Sequence, residues 1–345
     1  MRPPLQRRPA RAPRLRRRAA GALLLGAALA ALAARGAELP KVAIEPRALT
    51  VSGVSAGGYM ATQFQLAFSR IVDGVGVFAA GPWYCARGSL ARGLGECMGS
   101  PGSAPDAAGL IALARAAAAA GRIDPLTALA TTRVWVFHGT RDATVAPAVA
   151  QALVEFYRGF VPAANLRYVD DVAAAHGVPT EAAGNDCGTT GAPFLNACHY
   201  DGAGELLGFL YRDAAPAAAP GAPGTLVSFE QAPYDPTGSL AARGYLYVPS
   251  SCSAARPCRL HVAFHGCHQG AEFVGEAFVR DAGYNRWADS HRLVVLYPQA
   301  QASHLWPLNP EGCWDWWGYT GADYATRDGR QVVAVRAMVR ALAGF

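Results

Sequence analysis

Apolar positions along the chain fall into two kinds of run. Short, nearly continuous stretches recur at 48–51 (ALTV), 71–80 (IVDGVGVFAA), 132–138 (TRVWVFH), 166–172, 244–248, 259–264 (RLHVAF) and 292–297 (RLVVLY). Each is strand-length and rich in Val, Leu, Phe or Tyr, the signature of strands buried on both faces. Between them lie segments of helical period. In Tyr59–Phe68, the residues Met60, Phe64, Ala67 and Phe68 share one face. Further helices are predicted over Ala107–Ala120, Val149–Phe160, Leu206–Tyr211 and Gln331–Leu342. The first of these is alanine-rich, and alanine has the best helix propensity. Strands alternating with helices predict an α/β fold, with a mostly parallel central sheet flanked by helices.

Punctuation between these elements defines the organisation. Residues 85–105 are rich in Gly, Ser and Pro and read as a surface excursion, and 187–198 reads as a loop between cysteines. The stretch 213–224 (DAAPAAAPGAPG) is the one linker-like segment inside the chain. At the N-terminus, Arg2, Arg7, Arg8, Arg11, Arg14, Arg16, Arg17 and Arg18 precede an apolar run, Ala19–Ala34, that ends in small residues. This is the layout of a secretory signal peptide over 1–34, and the run is short for a membrane span. Without those eight arginines the formal charge of +6 becomes about −2. The remaining chain thus has no electrostatic case for a nucleic-acid partner, and none for stable membrane association once the signal is removed. With 52% apolar residues, 38–345 is long enough for a single catalytic domain, with no separate substrate-binding domain.

All eight cysteines lie beyond the signal-like segment. An even count in an exported chain argues for disulfides and a secreted location, extracellular or periplasmic. Sequence leaves the pairing open. The close pairs Cys85–Cys97, Cys187–Cys198 and Cys252–Cys258 are the simplest staples, leaving Cys267 with Cys313.

The candidate chemistry begins at Gly53-Val54-Ser55-Ala56-Gly57, between a predicted strand and a predicted helix. Gly-x-Ser-x-Gly in that context reads as the nucleophile elbow of an α/β-hydrolase. A serine nucleophile needs a base, and the base an orienting carboxylate, following it in the order Ser…Asp/Glu…His. Asp142 follows the strand 132–138, and His176 follows the strand 166–172. Asp170 and Asp171 are rival acids inside or at the edge of a strand. His138 is a rival base too close to its strand, and His199, His291 and His304 lack strand-end context. An oxyanion hole takes one N–H from the residue after the nucleophile, here Ala56, and one from a His-Gly loop that normally precedes the serine. Here the candidate loop, His265-Gly266-Cys267, comes far downstream. Circular permutation explains this, with 213–224 joining the old chain ends, since domain termini often lie close together. His265, Cys267 and His268 also have metal-ligand chemistry, but a lone cluster without a second ligand pair is a weak zinc signal. No metal and no cofactor is implied.

The permuted order, together with Gly-Val-Ser-Ala-Gly-Gly-Tyr-Met-Ala at 53–61, Phe-His-Gly-Cys-His-Gln at 264–269 and Gly-Cys-Trp-Asp-Trp-Trp-Gly-Tyr at 312–319, resembles the extracellular poly(3-hydroxybutyrate) depolymerases with a permuted catalytic domain. The resemblance runs from about residue 40 to the end. It implies a serine esterase with Ser55, Asp142 and His176 as triad, Ala56 and Cys267 as oxyanion donors, and a Cys267–Cys313 disulfide tying the oxyanion loop to the tryptophan segment. It also implies a polyester or oligoester substrate. Trp314, Trp316, Trp317, Tyr319, Trp83 and Tyr84 are then candidates for an apolar substrate groove, against an equally good reading as core. Many bacterial members add a linker and a polymer-binding domain; none is expected in this sequence, an expectation that favours amorphous polymer or soluble oligomers. A secreted esterase for feruloyl or acetyl esters would use the same triad. A non-enzymatic alternative is an inactive hydrolase-fold module that binds polyester or glycan surfaces.

Overall fold

Buried strands with side chains on alternate faces organise the molecule. The computed structural model describes residues 38–100, 103–212 and 223–344. The signal-like segment 1–34 and most of the 213–224 stretch lie outside the described residues. The first half contains strands β1 (Ile44–Val54), β2 (Val72–Phe78), β3 (Arg133–Phe137) and β4 (Leu166–Val169), then the short β5 (Val178–Thr180), β6 (Asn185–Asp186) and β7 (Leu195–Ala197). Helices α1 (Ala56–Ala67), α2 (Leu90–Arg92), α3 (Ala107–Ala119), α4 (Pro147–Arg158) and α5 (Gly202–Tyr211) belong to the same half. The second half supplies β8 (Thr225–Glu230), β9 (Arg243–Val248), β10 (Cys258–Phe264) and β11 (Leu293–Tyr297). With them come α6 (Ala271–Val274), α7 (Ala277–Asp281), α8 (Tyr284–His291) and α9 (Arg330–Ala343).

The main sheet runs β4-β3-β2-β1-β10-β11-β9-β8, and β9 alone runs opposite to the other seven strands. Counted from β8 through β11 and on to β1–β4, the order reads 1-2-4-3-5-6-7-8. This is a circularly permuted α/β-hydrolase fold. The seam falls where β10, late in the chain, pairs in parallel with β1 at its start, Gly53 opposite Phe264.

The nearly continuous apolar runs are explained by burial on both faces. Val134 and Val136 of β3, with Val294 and Leu296 of β11, face the cluster built by α1, α3, α4 and α9. Trp135 and Phe137, with Leu293, Val295 and Tyr297, face the cluster built by α5, α7 and α8. The period of two thus feeds two cores at once. On the second face β1 carries Thr50 and Ser52, both buried polar residues. The buried His261 of β10 satisfies them across the seam, Nδ1 to Thr50 Oγ1 and Nε2 to Ser52 Oγ, each at 2.7 Å. Burial pushes this imidazole down to about 3, so it serves as a neutral cross-strand bridge.

Several elements differ from the sequence reading. The sequence predicts only one apolar face for the first helix. The structure buries α1 on every side, between the sheet and α9, with its polar Gln63 donating to Asp315 O and its Gln65 accepting from Tyr157. Strand β8 and helices α6–α8 occupy stretches read only as connections. The loop 187–198 and its flanks form a small three-stranded sheet, β5-β7-β6. These strands are two or three residues long, too short to leave a periodic signal. Disulfides join Cys85–Cys97, Cys187–Cys198, Cys252–Cys258 and Cys267–Cys313. Among the described residues, no helix is long and apolar enough to cross a membrane.

Candidate active site

The chain leaves β1 and enters α1 through a single residue. Ser55 stands at φ 55°, ψ −123°, a strained conformation for a residue with a side chain. Its N–H donates to Phe78 O of β2 at 2.9 Å, and its carbonyl accepts from Gly58 and Tyr59, the first turn of α1. The flanking glycines are required by contact. A Cβ on Gly53 would lie 2.1 Å from Gly57 O, and one on Gly57 would lie 2.3 Å from Phe264 O. The strand-to-helix turn is therefore tight enough to thread between its own backbone and that of β10.

Asp142 and His176 lie on the loops after β3 and β4. The backbone zips these loops together, Thr140 N–H to Val172 O and Arg141 N–H to Ala174 O. Asp142 Oδ2 then bonds His176 Nδ1 at 2.8 Å, while Oδ1 accepts from Thr144 N (2.8 Å) and Val145 N (2.9 Å). Both side chains are buried. Burial by itself would raise the Asp142 carboxyl. The His176 hydrogen bond and charge, with the Val145 and Thr144 N–H groups, outweigh it and hold the group below the usual carboxylate range. An ionised Asp142 fixes the proton on Nδ1 and leaves Nε2 free to act as a base. His176 is supported from behind by its own N–H to Thr190 Oγ1 (3.2 Å) and by Ala175 N–H to Cys187 O. The Cys187–Cys198 loop thus supports the histidine.

The rival residues are placed differently. Asp170 and Asp171 are exposed, as are His199 and His304. His291 stacks on Trp287. His138 is buried beside the Asp142–His176 pair, with neither ring nitrogen hydrogen-bonded, and burial pushes its pKa down.

The β1–β10 register brings the 265–270 loop to the elbow. Built on Gly266, a Cβ would lie 3.5 Å from Ser55 Cβ. Among the described residues, neither Ala56 N–H nor Cys267 N–H is taken by a protein acceptor, so both are available at the end of α1 and in the adjoining loop. His265 and Cys267 are otherwise engaged. His265 bonds Gly266 O and Ala300 N, Cys267 is in its disulfide, and His268 pairs with Glu311.

Ser55, Ala56, His176 and Cys267 all line one pocket of ≈ 590 Å³. Among the described residues, Ser55 Oγ and His176 share this wall without a hydrogen bond between them. Such bonds are often long in unliganded catalytic sites. Along its sequence the chain is 35% identical over 337 residues to a polyhydroxybutyrate depolymerase of Talaromyces funiculosus, covering 93% of this chain and 96% of that one. The chain belongs to the polyhydroxybutyrate depolymerase family. It is also 41% identical over 305 residues to a poly(3-hydroxybutyrate) depolymerase of Delftia acidovorans, and there the match spans 87% of this chain but only 60% of the relative's length. The fold matches the crystal structure of a PHB depolymerase from Penicillium funiculosum, with a TM-score of 0.82 and 33% identity over 89% of this chain and 99% of that one. It also matches a PHB depolymerase carrying a serine-to-alanine substitution and complexed with an R3HB trimer, with a TM-score of 0.80 and 34% identity over the same shares. No family model matches the chain.

For this depolymerase-family chain the aromatic expectation needs correction. Of the six aromatics expected at a groove, Trp316 and Trp317 line the pocket, and Trp314, Tyr319, Trp83 and Tyr84 do not. Trp314 is fully buried against Phe264 and His265. Tyr319 donates to Cys313 O, and Trp83 donates to Ala325 O from within the core. Tyr84 packs between Trp83 and Tyr324. Trp316 reaches the pocket by stacking on Tyr59 of α1, with 5.3 Å between ring centroids. Sequence reasoning missed the aliphatic wall, Leu90, Leu94, Met98, Val145 and Leu308, and also Phe194. One usable signal was the i, i+4 pair Leu90 and Leu94 inside an otherwise polar, Gly-rich excursion.

Proposed function

We propose that this chain is a secreted serine esterase that hydrolyses ester bonds of poly(3-hydroxybutyrate) or its oligomers through an acyl-enzyme. The observation that carries the proposal is the Asp142–His176 pair opening onto the same apolar pocket as a serine held on a strained elbow. In this reading His176 Nε2 takes the proton of Ser55 Oγ as the oxygen attacks the ester carbonyl. The Ala56 and Cys267 N–H groups receive the developing oxyanion. Collapse expels the hydroxyl-terminated fragment, which takes the proton back from His176. Water, activated by the same imidazole, then clears the acyl group from Ser55. Family membership and an R3HB trimer bound to a structural neighbour support an oligoester of hydroxybutyrate as substrate. A mainly aliphatic and indole wall suits a polyester with methyl side groups better than a polar glycan ester.

The basic-then-apolar N-terminal segment and the four disulfides support export to an oxidising compartment. In this reading residues 38–345 are one catalytic domain whose permuted halves are joined through 213–224. The test is turbidity clearing of an amorphous poly(3-hydroxybutyrate) suspension, with soluble products resolved and a feruloyl ester run in parallel. Clearing by the wild type and none by Ser55→Ala is expected. Feruloyl ester hydrolysis without clearing would transfer the assignment to the cell-wall esterase class, and a chain inert to a fluorophosphonate probe would be a binding module.

A further inference from the structure

The Gly266–Cys267 peptide is the only part of the candidate oxyanion hole not built into a regular element, so something must hold its plane. Three buried contacts do so. Ala300 N–H donates to His265 Nε2 at 3.1 Å, which leaves the ring proton on Nδ1, and Nδ1 donates to Gly266 O at 2.7 Å. That carbonyl and the Cys267 N–H are opposite ends of one planar trans peptide, so fixing the first aims the second. On the other side, Gly266 N–H donates to Gln269 Oε1 at 2.7 Å. The Gln269 side chain is buried, and its Nε2 crosses to the other half of the chain, donating to Pro193 O (3.0 Å) and Phe194 O (3.1 Å). Those carbonyls belong to the Cys187–Cys198 loop that supports His176 through Thr190 and Cys187 O, and Phe194 itself lines the pocket.

We infer that Gln269 is a positioning residue that sets the oxyanion peptide against the loop supporting His176, fixing the distance between the general base and the oxyanion donors. The inference rests on the serine-esterase reading above. Its physical basis is the three hydrogen bonds that one amide makes, acceptor to the oxyanion loop and donor to the loop that supports His176. No second side chain joins Gly266 to the Pro193–Phe194 carbonyls among the described residues. An oxyanion donor matters chiefly in the transition state, so a misaimed Cys267 N–H lowers turnover and spares ground-state binding.

The experiment is Gln269→Met, close in length and without either polar end, assayed on a soluble hydroxybutyrate oligoester, with active sites counted by fluorophosphonate titration. The expected result is a fall in kcat per titrated site of about 100-fold, the scale of an ångström-sized misplacement or of one lost oxyanion donor, with KM held within about twofold. Affinity for an alkyl boronic acid, whose serine adduct places a charged oxygen in the hole, falls by the same factor as kcat/KM. A merely structural role would lower melting temperature or the number of titratable sites and leave kcat per site unchanged, and that result overturns the inference. If Gln269→Met does not fold, Gln269→Asn carries the same test, because it keeps the amide but is one methylene too short to span both loops. Ser55→Ala is run alongside. An active Ser55→Ala overturns the esterase reading and the inference with it. An inactive Ser55→Ala beside a fully active Gln269→Met overturns the inference alone.

Discussion

Asp142→Asn isolates the role of one carboxylate, because the structure dictates which way the new amide must point. Oδ1 of Asp142 accepts two backbone N–H groups, from Thr144 and Val145, and Oδ2 accepts from His176 Nδ1. An asparagine can keep both backbone bonds only by placing its carbonyl oxygen at the Oδ1 position. Its NH₂ then faces His176 and donates to Nδ1. The opposite flip would set NH₂ against two N–H donors and lose two bonds, each worth about 1 kcal/mol, with the cost of leaving buried donors unmet on top. The imidazole is therefore driven to carry its proton on Nε2, the atom that has to accept from Ser55. The fold is kept, since shape and backbone bonding are unchanged, and the base is lost. For a serine triad this wrong tautomer lowers kcat by about 10⁴-fold, or about 5.4 kcal/mol of barrier. The assay is hydrolysis of a soluble hydroxybutyrate oligoester at neutral pH, with circular dichroism and a denaturant melt to confirm folding. Proton NMR provides a second readout, because the Nδ1–H resonance of the wild type should vanish. A loss below about tenfold in folded protein would refute the argument and return His138, Asp170 and Asp171 to consideration.

Gly57→Ala should destabilise the protein by about 3 kcal/mol or more, the upper range for overpacking. The new Cβ would meet Phe264 O at 2.3 Å and His265 O at 2.4 Å, both backbone atoms of a central strand end that cannot swing aside; a urea melt measures it, and a change under about 1 kcal/mol would contradict the close approach. Asp142 also predicts a pH dependence of stability. Its folded pKa is depressed, so its contribution is complete above the ordinary aspartate value of about 3.9 and is lost as pH falls from there through the folded value. The stability difference between wild type and Asp142→Ala should therefore shrink as pH falls below about 4, and a difference that widens there would reverse the sign assigned here.

Legibility in the sequence followed the physics of each feature. Strands buried on both faces were readable because successive residues in them are mostly apolar, as in 293–297 and 134–137. The pentapeptide 53–57 was readable as a strand-to-helix turn because its glycines are demanded by contact. The pairing of Asp142 with His176 was legible because both stand just past buried strands. Helices α6–α8 were not readable. They are short, and α8 mixes Asn285, Arg286, Asp289 and Ser290 with its few buried residues, so the helical period is thin there. The identity of the pocket wall was also beyond one-dimensional reasoning. The segment 312–319 carries three tryptophans, and nothing in their spacing separates Trp314, which fills the core under His265, from Trp316 and Trp317, which face the pocket. That choice is made by Asp315, whose buried carboxylate accepts from the N–H groups of Gly318, Tyr319 and Thr320 and so turns the segment between them.

The permutation is where sequence order and spatial order diverge most, and sheet geometry explains why the chemistry tolerates it. Adjacent strands lie about 4.8 Å apart, and Gly53 of β1 is the register partner of Phe264 of β10. Two loops that leave those strand ends must therefore emerge side by side, whatever the length of chain between them. One loop carries Ser55 and the Ala56 N–H, and the other carries the Gly266–Cys267 peptide. The seam between them is not left to backbone pairing alone, since His261 bonds both Thr50 and Ser52 across it, and Ser52 is held in turn by Tyr284 of α8. A buried polar network of this kind is stabilising only when every member is satisfied, and here the strand beneath the elbow and the strand beneath the oxyanion loop satisfy each other. The spacing between Ser55 and the Gly266–Cys267 peptide is thereby set by one register and one imidazole, and it does not depend on where along the chain the two strands lie.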